Sequence, residues 1–159
     1  MKKLLKISAV LAIVAGIVLV SGGLWGISFI HKNVAEEKIV TPDDSDMPGV
    51  PVSGPLSLKT QADIIREHTL KITGGLTYAE MPRQIPQLDA AGNPVIGADG
   101  KPVMINNATR DLWVTATTLR TALHLAIFAY VFSALTILIG LISIWTGFLF
   151  NALSKKNIQ

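Results

Sequence analysis

The chain has 159 residues, room for one domain at most, and while half of them are hydrophobic only 16% are charged, well under the roughly 25% of a soluble domain. It has no cysteine, which excludes disulfides, a lipobox cysteine and thiolate metal sites. The net charge of +3 is no sign of nucleic acid, since the basic residues form no patch and Trp113 has no basic-aromatic neighbourhood.

Residues 1–6 contain Lys2, Lys3 and Lys6, and Ile7 to Ile30 is then a run of 24 residues without Asp, Glu, Lys or Arg. A bilayer core needs about 20 apolar residues in a helix, so 7–30 is a first transmembrane helix. Nothing breaks helix from about Lys3 into the 30s, and Pro42 ends it. Val20-Ser21-Gly22 also resembles a signal-peptide cleavage site. Hydrophobicity continuing through Leu24, Trp25, Ile27, Phe29 and Ile30 favours an uncleaved anchor instead.

Residues 31–120 form the polar middle. The stretch 40–57, with four prolines and three aspartates, reads as an extended linker. A helix over 58–73 follows, with Leu58, Ala62, Ile65, Thr69 and Ile72 on one mildly apolar face and Gly74-Gly75 as its left-handed stop. Thr77-Tyr-Ala-Glu80 fits a capping box for one short turn ended by Pro82. Residues 84–106 carry a near-repeat, Ala90-Ala-Gly-Asn-Pro-Val-Ile96 against Ala98-Asp-Gly-Lys-Pro-Val-Met104, which predicts a small hairpin or paired turn. Asp89, Asn93 and Asp99 do not match calcium-loop spacing.

A second long helix is predicted from near Asn107 or Thr109 to about Leu153, with a stem over 108–120 and a transmembrane stretch over 121–150. Thr121 to Ser154 holds no Asp, Glu, Lys or Arg in 34 residues. Residues 151–159, with Lys155 and Lys156, make the C-terminal tail. All 11 acidic residues lie between the two apolar runs, and both ends are basic. Retained loops carry the Lys/Arg excess, so both termini are expected in the cytoplasm and the middle outside, with the lipid bilayer as first partner. Trp25 and Trp113 suit an outer aromatic belt and Trp145 an inner one.

Small or weakly polar residues recur in the second apolar run at Ala122, Ala126, Ala129, Ser133, Thr136, Gly140, Ser143 and Gly147, in alternating steps of 4 and 3. The first run answers with Ser8, Ala12, Ala15, Leu19, Gly22 and Gly26. Lipid tails are as apolar as leucine, so helices in a bilayer associate through close backbone packing, which small side chains allow. The fold class expected is therefore all-α: an antiparallel two-helix transmembrane hairpin with a small, partly disordered outer segment containing one or two short helices. Ile137 lies off the seam.

Chemistry is sparse. His31 and His124 fall near the outer ends of the spans and read as interfacial residues; the minor alternative is that they face each other across the hairpin and hold a metal or haem, which makes a metal- or haem-dependent enzyme the least favoured role. His68 reads as a surface or packing residue, and Arg120 as a snorkelling side chain. No span holds an ionisable residue in its core, against a proton relay or ion carrier, and no nucleophile has an adjacent base. No catalytic residue, metal site or cofactor is expected.

Glu67-His-Thr-Leu-Lys-Ile-Thr-Gly-Gly-Leu-Thr-Tyr-Ala-Glu-Met81 and Trp113-Val-Thr-Ala-Thr-Thr-Leu-Arg-Thr-Ala-Leu123 resemble a family of small two-span bacterial membrane proteins, largely actinobacterial and of unknown function. With both spans, the resemblance covers roughly two thirds of the chain. Relative to that family, residues 84–106 look like an insertion. The family's frequent label, aromatic ring-opening dioxygenase, implies ferrous iron on His and carboxylate ligands in a soluble fold. This sequence offers no such set, and the activity is not carried over. The expected role is an accessory or scaffold subunit of a larger membrane or envelope complex in the bacterial plasma membrane. Ile65 and Ile72 are the expected contacts to another protein. A homo-oligomeric structural protein is the alternative.

Overall fold

The computed structural model describes residues 1–155; the charge at Lys156 and the end of the expected cytoplasmic tail lie outside the described residues. The protein is mainly α-helical. Its elements are α1 (Lys2–Glu36), α2 (Pro55–Ile72), β1 (Gln84–Pro86), β2 (Met104–Asn106) and α3 (Ala108–Lys155). α1 and α3 are both long and apolar enough to cross a membrane. The chain divides into two compact units, Met1–Lys59 with the chain from His124 onward, and Thr60–Leu123, whose boundaries fall inside α2 and α3.

In the first unit, α1 ends where Glu37 still has helical angles and Lys38 turns left-handed at φ 53°. The next residues do not trail away as a linker. Thr41 is 2% exposed and closes the loop on itself: its N–H donates to Val50 O at 3.0 Å, its Oγ1 accepts from Val50 N–H at 2.9 Å, and its hydroxyl donates to Met47 O. Val52, 1% exposed, donates to Ile39 O at 2.9 Å. Buried Thr and Val at the base turn a proline-rich stretch into a closed loop, because backbone groups taken out of water must be paired.

The last of the supposed linker prolines, Pro55, is the first residue of α2. Its fixed φ and missing N–H suit that position. Ser57 reaches back so that its Oγ accepts from Ser53 N–H at 3.1 Å and Gly54 N–H at 3.2 Å. The helix therefore begins three residues earlier than the periodicity from Leu58 suggests.

In the second unit α2 stops at Gly74 and Gly75, both left-handed, with Gly75 N–H donating to Leu70 O at 2.8 Å. Glu80 accepts from Thr77 N–H at 2.7 Å and forms the single short turn before Pro82. β1 and β2 then pair antiparallel, Gln84 with Asn106 through Pro86 with Met104.

Between the strands the near-repeat closes a small ring. Pro86-Gln87-Leu88, Pro94-Val95-Ile96 and Pro102-Val103-Met104 stand at eight-residue spacing. Gln87 N–H donates to Val103 O, Val95 N–H to Gln87 O, and Val103 N–H to Val95 O, each at 2.8 Å. Each proline is bridged to the apolar residue of a neighbouring copy: Pro86 with Met104, Pro94 with Leu88, Pro102 with Ile96. The linking turns match as well, with Gly92 and Gly100 at φ 84° and 74°. The arm is thus a three-part arrangement of which the sequence repeat shows two parts.

Candidate functional site

The helix seam lies in the first unit. On α1 the fully buried positions are Ala9, Gly16 and Gly23; on the facing stretch of α3 they include Ser133, Gly140 and Gly147. The backbones come so near that a Cβ on Gly16 would stand 2.5 Å from Ile144 Cγ1 and 2.6 Å from Gly140 O. A Cβ on Gly140 would meet Gly16 O and Val20 Cγ2, both at 2.8 Å, and one on Gly147 would meet Ile13 Cγ1 at 2.5 Å. Gly23 faces Ile137 in the same manner, at 2.6 Å. Four glycines thus receive four β-branched side chains: Ile13 at Gly147, Ile144 at Gly16, Val20 at Gly140, Ile137 at Gly23. The partners ascend α1 while they descend α3, a heptad on one helix answering a heptad on the other. Ser143 adds a hydrogen bond, its Oγ donating to Ala12 O at 2.9 Å.

Of the expected seam on α3, Ser133, Gly140 and Gly147 are buried; Ala126, Ala129, Thr136 and Ser143 are half-buried; Ala122 is exposed. On α1, Ala12, Leu19 and Gly26 are half-buried, whereas Ser8, Ala15 and Gly22 are exposed, with nothing within 4 Å of a Cβ at Gly22. The period is a heptad, yet half of the α1 stripe sits one residue further along, at Ala9, Gly16 and Gly23. Both stripes share Ala12, Leu19 and Gly26, so spacing could not choose between them. The choice goes to the stripe richer in glycine, where a backbone can approach. Ile137, expected off the seam, is one of its knobs.

At this register His31 comes level with roughly position 129 of α3, since the rise per residue is the same on both helices. His31 and His124 therefore do not face each other. Trp145 comes level with Ala15, well inside the α1 run and away from its edge. At the loop end of the unit, Tyr130, 8% exposed, donates its hydroxyl hydrogen to Ser53 O at 2.6 Å.

In the second unit the expected contact face of α2 divides. Ala62 and Thr69 are buried and Ile65 is half-buried, while Ile72 stays 64% exposed. Arg120 is not a snorkelling side chain: its Nε donates to Ala62 O at 3.0 Å. Ile72 is thus the outward member of the pair.

The same unit holds a feature that composition did not disclose. Asn107 caps α3, its Oδ1 accepting from Thr109 N–H at 3.1 Å, and its Nδ2 donates to Pro82 O at 3.0 Å. Its own N–H donates to Arg83 O at 3.0 Å. These bonds bring the turn at 77–83 to the first turn of α3, where Arg110 Cζ lies 3.9 Å from the centre of the Tyr78 ring. Tyr78, Arg83, Asn106, Asn107, Arg110 and Asp111 line a cleft of about 290 Å³. Tyr78 also borders a second cleft of about 270 Å³, with Trp113, Val114, Thr117 and Thr118. Nothing in linear spacing links Arg83 to Arg110; the pairing of β1 with β2 and the bonds of Asn107 do.

Among the described residues no group of three or more His, Cys, Asp and Glu is placed to hold a metal. Family models, curated proteins and solved structures were compared with the chain, and none matches.

Proposed function

We propose that the chain is a two-span protein of the bacterial plasma membrane, with α1 and α3 as an antiparallel transmembrane hairpin, both termini cytoplasmic and the central segment outside. The register makes Tyr130–Leu153 the part of α3 level with Ile7–Ile30, a frame shifted toward the C-terminus from 121–150. Only 11% of the most apolar window of α1 and 17% of that of α3 is buried within the protein. Buried core helices hide such surface; these leave it outward, as hydrocarbon contact requires. The basic ends and acidic middle supply the orientation.

Within that frame the chain acts as a non-enzymatic accessory or scaffold subunit of a larger membrane or envelope complex. One observation carries this reading: the polar segment leaves Leu56, Ile72, Leu76, Leu88, Ile96 and Met104 between 44% and 73% exposed, apolar side chains of the kind that form the buried centre of a protein interface. Ile72 is the first anchor to test, with Ile65 beneath it. Purification from native membranes in mild detergent should recover a partner with the wild type. Ile72→Asp with Ile96→Asp should lose that partner while the protein still resists carbonate extraction. A wild-type protein that purifies alone as a monomer would contradict the scaffold reading.

A homo-oligomeric structural role is the second reading. Ser8, Ala15 and Gly22 form a small-residue stripe that faces away from α3, the type of surface on which another helix packs. A wild-type oligomer dissociated by Gly22→Leu would favour it.

A further inference from the structure

We infer that the paired clefts on either side of Tyr78 bind a small soluble oxyanion, phosphate or carboxylate, that carries an apolar group. The charge arrangement comes first. Arg83 and Arg110 both line the first cleft, and Asp111 is the one carboxylate among its lining residues. The acids flanking Arg83 in sequence are engaged locally: Glu80 accepts from the N–H and hydroxyl of Thr77, both at 2.7 Å, and Asp89 accepts from Ala91 and Asn93 N–H, both at 2.9 Å. Among the described residues neither arginine has an ion pair, and Arg110 Nε is buried without an acceptor. A buried guanidinium N–H left unpaired is unusual enough to need an explanation. A planar fork short of acceptors is the group that recognises carboxylate or phosphate in a bidentate manner.

The positioning is built in. The Tyr78 ring lies against one face of the Arg110 guanidinium, a contact that orients the plane, and Asn107 holds Pro82 and Arg83 by their carbonyls. The cleft also lies at the N-terminal end of α3, where the helix dipole favours negative charge. Asp111 offsets one positive charge, so the cleft suits a singly or doubly charged head and disfavours a polyanion.

The apolar half follows from helix geometry. Arg110, Trp113, Val114, Thr117 and Thr118 recur at steps of 3 and 1 along one face of α3. The second cleft therefore lies next to the first along α3, with Tyr78 common to both. A ligand seated in both places its charge on the arginines and a short chain or ring against Trp113 and Val114.

The test uses the full chain in phosphatidylcholine nanodiscs with Trp25→Phe and Trp145→Phe, leaving Trp113 as reporter. Butyl phosphate, inorganic phosphate and butanol are titrated at constant ionic strength. Butyl phosphate should shift Trp113 emission saturably and bind about tenfold tighter than inorganic phosphate, as expected for partial burial of its methylenes, while butanol has no effect. Arg83→Gln and Arg110→Gln should each weaken butyl phosphate about tenfold or more, consistent with loss of a charge-assisted bidentate contact, and Arg66→Gln should not. If Arg110→Gln fails to fold, Arg110→Lys, which keeps the charge and loses the fork, should still weaken binding. The inference falls if butanol matches butyl phosphate or if Arg66→Gln weakens binding equally. It falls too if only discs containing phosphatidylglycerol give a response, which would make a lipid headgroup the ligand. None of these readouts depends on partner recovery, so this inference and the scaffold reading fail separately.

Discussion

Val20 sits in the notch that Gly140 leaves on α3: a Cβ at position 140 would stand 2.8 Å from Val20 Cγ2 and equally near the Gly16 carbonyl oxygen. Because one of those neighbours is backbone, no side-chain rotation relieves the clash. The two helices must part.

Gly140→Ala should therefore lower the stability of the helix pair, and Gly140→Leu should do so by about 1–3 kcal/mol, as overpacked interiors do. Gly22→Ala meets open space and should leave the melting temperature in detergent unchanged. Ile137→Leu, which removes the β-branched fit against Gly23, should also be felt. Equal melting temperatures for all of these variants and the wild type would refute the close approach.

Tyr130→Phe deletes a hydroxyl and leaves the ring. The Ser53 carbonyl then loses its 2.6 Å donor, a change of about 1 kcal/mol for a typical hydrogen bond. The loop over 37–54 should become more sensitive to protease while α1 and α3 stay protected. An unaltered digestion pattern would mean that the hydroxyl does not hold the loop.

Acid should loosen the arm before the helices. The Asp89 carboxyl is held below its ordinary range, chiefly by the hydrogen bond from the Asn93 backbone; desolvation opposes this, and the Ala91 amide then adds to the lowering. Glu80 is lowered by the backbone and then the hydroxyl of Thr77. For a depressed carboxylate, the stabilisation is present above its ordinary pKa and is lost as pH falls through the folded value. Carbon-13 titration of Asp89 should give a midpoint below the usual aspartate value, with the Ala91 and Asn93 amide resonances moving together with it. A midpoint at or above that value would show that the turn is not formed.

Orientation can be checked without any partner. Single cysteines at Asp46 and Asp99, both exposed, should react with an impermeant thiol reagent on intact cells, and one at Asn157 should not. Labelling at Asn157 would overturn the charge argument, and a mature chain beginning near Gly23 would show cleavage.

Much of the helical layout is legible in the sequence because its causes are local. Charge-free runs, Gly74-Gly75 and Asn107 each mark an element by their own chemistry. What stayed hidden depends on partners distant in sequence. Stripes through Ser8 or through Ala9 have the same period, and only the Ile and Val knobs of the opposite helix select between them. Thr41 and Pro55 looked like linker residues because proline and aspartate density says nothing about which carbonyl a buried threonine will meet. The cleft at Arg83 and Arg110 was invisible for the same reason: it exists only once Gln84 lies beside Asn106.

The ring of Pro86, Pro94 and Pro102 makes the arm indivisible. Its hydrogen bonds pass from the first copy to the third, the third to the second and the second back to the first, so removing any eight-residue copy leaves two segments with donors and acceptors facing nothing. Length can change only in the turns, at Gly92 and Gly100, where a side chain would meet no atom within 4 Å but where the left-handed backbone favours glycine. An epitope spliced beside either glycine should be carried without disturbing the ring, which makes these two turns natural handles for locating the segment in living cells.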